Sequence, residues 1–293
     1  MAPLNINSTL KLLSGYEIPR LGFGVYQTPP KDAARCVREA FDAGYRHVDS
    51  AAAYRNEGAC GEAIRAASSI LPRSQIFFTS KVPPRQMGYD GTKAQVDDTL
   101  AKSGLEYIDL ILLHSPYGGS TKRKGSWRAL VEAVEAGKVR SIGVSNYGVH
   151  HLDELDRHIA ELEQERGGKG KGGVLSLGQW EIHPWCPRRD IVEWCNKRCV
   201  AVEAYSPLVQ GKRWGEPVTK KLADKYGKSE AQILIRWSLE KGFVPLPKSV
   251  TPDRIRENAD VYDFELSPQE VQELETEEYS PVCWDPNTAS LDE

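Results

Sequence analysis

Short apolar runs bounded by turn residues recur along the whole chain and alternate with longer stretches in which apolar residues return at helical spacing. The runs predict strands at 21–25, 46–50, 76–82, 107–114, 139–145, 177–182, 200–206 and 243–248. Between them lie amphipathic helices. Leu152, Leu155, Ile159 and Leu162 share one face, with Asp153, Glu154, Arg157 and Glu161 predicted to face water, and a further helix is predicted over 229–241. A parallel strand pair needs a crossover, and a right-handed series of eight such units closes on itself. The pattern therefore predicts an α/β fold, a closed (β/α)8 TIM barrel occupying residues 1–293 as one domain. Three segments fall outside the repeat: 9–19, where Ser14-Gly15 predicts an N-terminal β-hairpin capping the barrel bottom; 217–226, an extra helix; and 267–278, a C-terminal helix started by Ser-Pro. The glycine-lysine tract 167–173 follows the fifth helix and reads as a surface loop on the bottom face, since no Gly-Lys-Ser/Thr follows to make a phosphate cradle.

In such a barrel the C-terminal ends of the strands point into one mouth. The run from Gly44 to Tyr54 ends a strand with Asp49 and places a phenol just beyond it; the next two strands end at Lys81 and His114. Taken singly, each has a plain structural reading: an Asp caps a helix, a Lys solvates, a Tyr packs, a His sits satisfied in the core. Their order at three successive strand ends points to acid catalysis on a carbonyl. Tyr54 is the expected proton donor, Lys81 is expected to lower the phenol pKa by its charge, Asp49 to hold the ammonium, and a neutral His114 to orient the substrate oxygen. His47, inside a strand, and His150, His151 and His158, on or beside one charged helix, read as structural.

Composition narrows the partners. With 40% hydrophobic and 27% charged residues and a net charge of -3, nothing calls for nucleic acid or an anionic membrane, so a small molecule is the expected partner. No stretch approaches the ~18 apolar residues of a spanning helix. The six cysteines form no Cys-x-x-Cys pair and the start of the chain lacks a basic region followed by an apolar run, which reads as reduced thiols in a cytoplasmic protein. Cys195 and Cys199, one helical turn apart with His183 upstream, invite a zinc reading, but no second ligand pair is spaced to close a tetrahedral site; no metal is expected.

A cofactor site is legible from helix-end physics. Ser249, Val250, Thr251 and Pro252 put an N-cap Thr and an N1 Pro at the start of the eighth helix, leaving free amides for a phosphate, and Lys248 and Arg254 add charge there. Such a pair suits a ribose 2′-phosphate, hence NADPH/NADP+ over NADH. Two rival dinucleotide signals fall short: Gly22-Phe23-Gly24 leads to Gln27 where a third Gly belongs, and Tyr89 with Lys93 matches a Tyr-x-x-x-Lys spacing but reads as lying across a Gly-interrupted loop.

Taken together, the run from Gly44 to Asp49 with Tyr54, Lys81, His114, Gly143-Val144-Ser145-Asn146, and Lys248-Ser249 with Arg254 and Glu257-Asn258 resembles the aldo-keto reductase family, in the same order and over nearly the whole length. The resemblance implies that Asp49, Tyr54, Lys81 and His114 form a catalytic tetrad of a reductase of aldehydes or ketones. It implies a carboxamide site at Ser145, Asn146 and Gln179, a nicotinamide stacked on Tyr205, a pyrophosphate passage at Ser206 and Leu208, an adenine site at Glu257 and Asn258, and further cofactor contacts at Gly24, Val25, Tyr26, Lys248, Ser249, Val250, Thr251 and Arg254. The chain departs from the family's common pattern after Lys81, with Val82-Pro83-Pro84-Arg85 where many relatives carry a Trp. Tyr26, Pro83, Tyr117 and Trp214 are the expected pocket walls, and the Lys122–Lys124 run is read as a solvated loop or a lure for acidic substrates. A cofactor-binding regulatory subunit with slow turnover and a metal-dependent or isomerising barrel enzyme are the alternatives; physiological substrate and oligomeric state are left open, with a monomer plausible.

Overall fold

The computed structural model describes residues 3–293. Eight parallel strands form one sheet in sequence order: β3 (Phe23–Gly24), β4 (His47–Asp49), β5 (Phe77–Val82), β6 (Ile108–Leu113), β7 (Val139–Ser145), β8 (Leu175–Glu181), β9 (Ala201–Tyr205) and β10 (Val244–Leu246). The sheet curls until its edges meet, and the amides of Gly22 and Gly24 donate to the carbonyls of Pro245 and Pro247, each at 3.0 Å. This seam is thin because the prolines accept but cannot donate. It also requires glycine at position 22, where a Cβ would lie 2.5 Å from the Leu246 side chain and 2.6 Å from His47 Nδ1. Five of the strands are shorter at both ends than the apolar runs that announced them; β7 matches its run, β5 is shorter only at its start, and β8 begins earlier, at Leu175, and ends one residue sooner.

The N-terminal hairpin pairs β1 (Thr9–Lys11) with β2 (Glu17–Pro19) antiparallel. Its Leu12 and Ile18 pack with Phe77, Ala201 and Val244, which begin three of the barrel strands, so the hairpin plugs the bottom. Ser14 Oγ meets Ser141 Oγ at 2.8 Å there. Helices ring the barrel: α1 (Pro30–Asp42), α2 (Glu57–Ala67), α3 (Tyr89–Ser103), α4 (Gly119–Glu135), α5 (Val149–Glu165), α6 (Arg189–Lys197), the additional α7 (Pro217–Tyr226), α8 (Glu230–Glu240), α9 (Pro252–Ala259) and α10 (Pro268–Leu274). Two start in capping boxes: Ser229 with Gln232, and Ser267 with Glu270. Among the described residues no helix is long and apolar enough to cross a membrane.

Four expectations are corrected here. Glu154 does not face water: it is buried on α5 and pairs with Arg123, whose Nε and Nη2 lie 2.5 and 3.1 Å from its carboxylate oxygens. The Lys122–Lys124 run is consequently no loop but the second turn of α4, and Arg123, also buried, holds the carbonyls of Pro116 and Leu291. Cys195 and Cys199 do not share a helix face, since α6 ends at Lys197, Cys195 is buried and Cys199 is exposed at φ 56°. Tyr89 and Lys93 do sit on a helix, at the start of α3, but the Tyr89 hydroxyl donates to Glu132 Oε2 at 2.6 Å in the outer helix layer, and neither residue lines the cleft at the barrel mouth.

Candidate active site

Strand ends and the loops beyond them line a cleft of about 1360 Å³ at the C-terminal face of the barrel. At its floor β4 delivers Asp49 and β5 delivers Lys81, both buried, and the ammonium lies 2.7 Å from each carboxylate oxygen and 2.9 Å from the Ser50 carbonyl. A buried charge is tolerated only when paired and bonded, and these three short contacts pair and bond the ammonium. Tyr54 comes from a 3-10 turn, Ala52–Tyr54, directly after β4, and its hydroxyl is 3.4 Å from Lys81 Nζ. His114 follows β6; its ring stands edge-on to Tyr54 with centroids 5.8 Å apart.

The electrostatics differ from expectation in one respect. The Tyr54 phenol is held well above its ordinary value, by burial first and then by the Asp49 carboxylate, not lowered by Lys81. Lys81 makes its short contacts with Asp49 and Ser50 and reaches the Tyr54 hydroxyl only through a long hydrogen bond of 3.4 Å, while the phenol itself is buried. The group therefore keeps its proton across the neutral range and is available as a donor. Burial, followed by the Lys81 charge, lowers His114 to about 3, so its ring is neutral. Its Nδ1 is buried and has no hydrogen-bond partner among the described residues.

At one side of the floor, Ser145 ends β7 and Asn146 follows with φ 61°, a left-handed conformation that Asn tolerates better than most residues. Asn146 Nδ2 donates to the His114 carbonyl at 3.0 Å and to Ser145 Oγ at 3.1 Å, while its Oδ1 accepts from the Tyr205 hydroxyl at 2.8 Å. Gln179 on β8 and Tyr205 at the end of β9 complete this wall. The cleft then runs past Ser206 and Leu208 to Lys248, Ser249, Arg254, Glu257 and Asn258. Thr251 occupies the N-cap of α9 without a side-chain capping bond, and among the described residues neither Lys248 nor Arg254 has an ion-pair partner. Two uncompensated cations beside an uncapped helix start form an anion site, and with the amide-rich wall at the other end the residues fit an extended, phosphate-bearing dinucleotide.

Of the residues singled out from sequence, Gly24, Tyr26, Asp49, Tyr54, His114, Ser145, Asn146, Gln179, Tyr205, Ser206, Leu208, Lys248, Ser249, Arg254, Glu257 and Asn258 line this cleft. Lys81 lies just beneath it. Three do not reach it. Val25 is wholly buried in the core, its amide bonded to the Asp49 carbonyl, because the residue after β3 turns its side chain into the helix layer. Val250 and Thr251 are exposed; the Val250 carbonyl accepts from Arg35, and the Thr251 amide donates to Ser249 Oγ at 3.1 Å. Among the expected pocket walls Tyr26 and Trp214 line the cleft, while Pro83 is buried away from it and Tyr117 stands behind Trp284 at 5.9 Å between rings.

Sequence reasoning missed the C-terminal contribution. Val282, Cys283 and Trp284 close the cleft from above, and Trp284 lies edge-on to His114 with ring centroids 6.1 Å apart. The segment is tied down by Glu181 at the end of β8, whose carboxylate accepts from the amides of Val282 at 2.6 Å and Cys283 at 3.0 Å and from His183 at 2.8 Å. Burial works against this carboxylate's charge, yet those bonds hold it below its ordinary range. The one available signal was an acid at a strand end, the same signal that marked Asp49.

A parallel eight-stranded barrel whose mouth brings a phenol, a buried lysine-aspartate pair and a neutral histidine to one end of a dinucleotide-sized cleft defines an oxidoreductase-type barrel. Comparison with known proteins narrows this: the aldo/keto reductase family model matches residues 20–277, and the chain belongs to that family. It is 38% identical over 274 residues to a glyoxal reductase of Bacillus subtilis, covering 93% of this chain and 94% of that protein. Its backbone is similar to the aldo/keto reductase of Brucella melitensis (TM-score 0.82, 39% identity, 91% of this chain and 98% of the other). It is also similar to an aldo-keto reductase of Bombyx mori in complex with NADP (TM-score 0.81, 29% identity, 92% of each chain).

Proposed function

We propose that the protein reduces aldehydes or ketones to alcohols with NADPH, and that Tyr54 delivers the proton. The observation that carries the reading is the single cleft joining Tyr54, above the Asp49–Lys81 pair, to the uncompensated Lys248 and Arg254 at the start of α9. Lys248 and Arg254 would hold a 2′-phosphate, Ser206 and Leu208 the pyrophosphate, Glu257 and Asn258 the adenine, and Ser145, Asn146, Gln179 and Tyr205 the nicotinamide end. When bound, the cofactor supplies a hydride to the carbonyl carbon. The protein's own task is the oxygen. A neutral His114 donates a hydrogen bond that orients it, and Tyr54, protonated throughout the neutral range, gives up its proton as negative charge develops there. The Lys81 ammonium, 3.4 Å from the hydroxyl, faces the charge that forms there, and Asp49 holds that ammonium in place. Tyr26, Tyr54, His114 and Trp284 surround the carbonyl site with aromatic walls, and the positive charges of the cleft sit at its cofactor end.

The test is Tyr54→Phe, which keeps the ring and its packing and removes the proton. Single-turnover NADPH oxidation by a panel of aldehydes should slow by at least about 10²-fold, with NADPH affinity and melting temperature near parental. A variant that binds cofactor, melts normally and reduces aldehydes at the parental rate would exclude Tyr54 as the acid.

A further inference from the structure

Glu203 takes no part in the chemistry above, yet it is fully buried on β9 at the centre of the barrel. Its Oε2 lies 2.6 Å from Gln179 Nε2, and that same amide nitrogen lies 2.9 Å from Asp49 Oδ2. We propose that Glu203 is a positioning residue that, together with Asp49, fixes the Gln179 side chain with its amide oxygen toward the cleft. The proposal rests on the cofactor reading above.

The chemistry of the contacts sets the orientation. An amide end lodged against the acceptor oxygens of two acids, one of them bound by an ammonium, must be its NH2 end; the opposite orientation would set a carbonyl oxygen against the Asp49 carboxyl oxygen that accepts from Lys81. Two acceptors consume both amide hydrogens, so Gln179 offers the cleft an acceptor and no donor. That matches the NH2 of a nicotinamide carboxamide. Asp49 alone would engage one hydrogen and leave the other free to compete for the wrong partner or to rotate away.

Glu203 can occupy this place because it is uncharged. The nearby cation, Lys81, is committed to Asp49, and His47, whose Nε2 lies 3.4 Å from Glu203 Oε1, is bonded to Thr79 and held neutral by burial. An ionised Glu203 would therefore add an unmatched buried charge beside Asp49. Burial and then the Asp49 carboxylate raise it to about 8, while Gln179 and Lys81 pull the other way. Its proton belongs on Oε1, the oxygen without a donor against it. The titratable groups around it are Asp49, Lys81, His47 and, beyond the ion pair, Tyr54.

The test compares NADPH with adenosine 2′,5′-bisphosphate, which carries the 2′-phosphate end and lacks the nicotinamide, by calorimetric titration. Glu203→Leu should weaken NADPH about three- to tenfold, the loss of a net hydrogen bond, and leave the bisphosphate within about twofold. Glu203→Gln, whose carbonyl still accepts from Gln179, should restore NADPH binding. Should the Leu variant melt too low to titrate, Glu203→Asp withdraws the carboxyl by one methylene and should show the same selective loss. Parental NADPH affinity in the Leu or Asp variant, or a parallel weakening of both ligands, would overturn the proposal. A parent protein that binds neither ligand would instead defeat the cofactor reading on which it stands.

Discussion

Arg254 stands at the cleft rim, exposed, with its neighbours Asp253 and Arg256 paired to each other at 2.6 Å and with no ion-pair partner of its own among the described residues. In the proposed reading this cation meets the 2′-phosphate of the cofactor. Replacing it with Ala should weaken NADPH by about tenfold or more and NADH hardly at all, because the two differ only in the 2′-phosphate that a charge-assisted bond would hold. Equal weakening of both cofactors in a titration would remove the 2′-phosphate from this site. The residue scale is also where sequence reading went furthest. Asp49, Tyr54, Lys81 and His114 were legible because each sits at or just past a strand end, and a barrel gathers strand ends into one mouth. What spacing could not supply was the state of the phenol. Its raised pKa follows from burial first and then from the Asp49 carboxylate, which only the folded arrangement decides.

At the scale of elements, the segment after α10 crosses the barrel mouth and is secured at both ends of its path. Glu181, itself bonded by His183, holds it near β8, Arg188 pairs with Asp285 at 2.9 Å, and beyond that Arg123 and His150 bind the carbonyls of Leu291 and Ala289. Glu181→Ala would leave the Val282 and Cys283 amides without their acceptor. Their hydrogen exchange should accelerate, and the KM for carbonyl substrates should rise as Trp284 loses its fixed position, while exchange in β5 and β6 stays unchanged. Unaltered exchange at residues 282–283 would mean that Arg188 and Arg123 alone hold the strap. This element was invisible in the hydrophobic pattern because it is largely irregular and its anchors are distant in sequence, 101 residues for Glu181 with Val282 and 168 for Arg123 with Leu291. The same blindness produced the error on α5. Helical spacing placed Glu154 outward, and the placement was wrong because α4 brings a buried guanidinium against it.

For the whole molecule, the buried acid in the barrel couples stability to pH. Glu203 has a folded-state pKa near 8 against an ordinary value of 4.5. Between those values the folded protein holds a proton that the unfolded chain releases, so its contribution to stability is present below about pH 4.5 and is lost as pH rises through about 8. The slope contributed by one such group is at most about 1.4 kcal/mol per pH unit. Glu203→Gln abolishes this slope. Melting temperatures measured from pH 5 to 8.5 should fall in the parent relative to the variant, and parallel curves would show that Glu203 titrates in the ordinary range.

Local information determined a good deal of this protein by itself: the eight alternations, the hairpin at Ser14-Gly15, and the extra helices α7 and α10 were written in apolar periodicity and turn residues, which act over a few positions. The barrel followed from their number and order, because short crossovers between parallel strands leave few ways to close. The strand ends and the start of α9 followed in turn, and with them most of the cleft. The tertiary structure alone decided which charges are neutralised. Whether Lys81 lowers a phenol, whether Glu154 is solvated, whether Glu203 keeps its proton and what Glu181 holds all depend on groups brought close by folding from distant positions. Burial and pairing set the energy of a charge, and neither is a property of its neighbours in sequence.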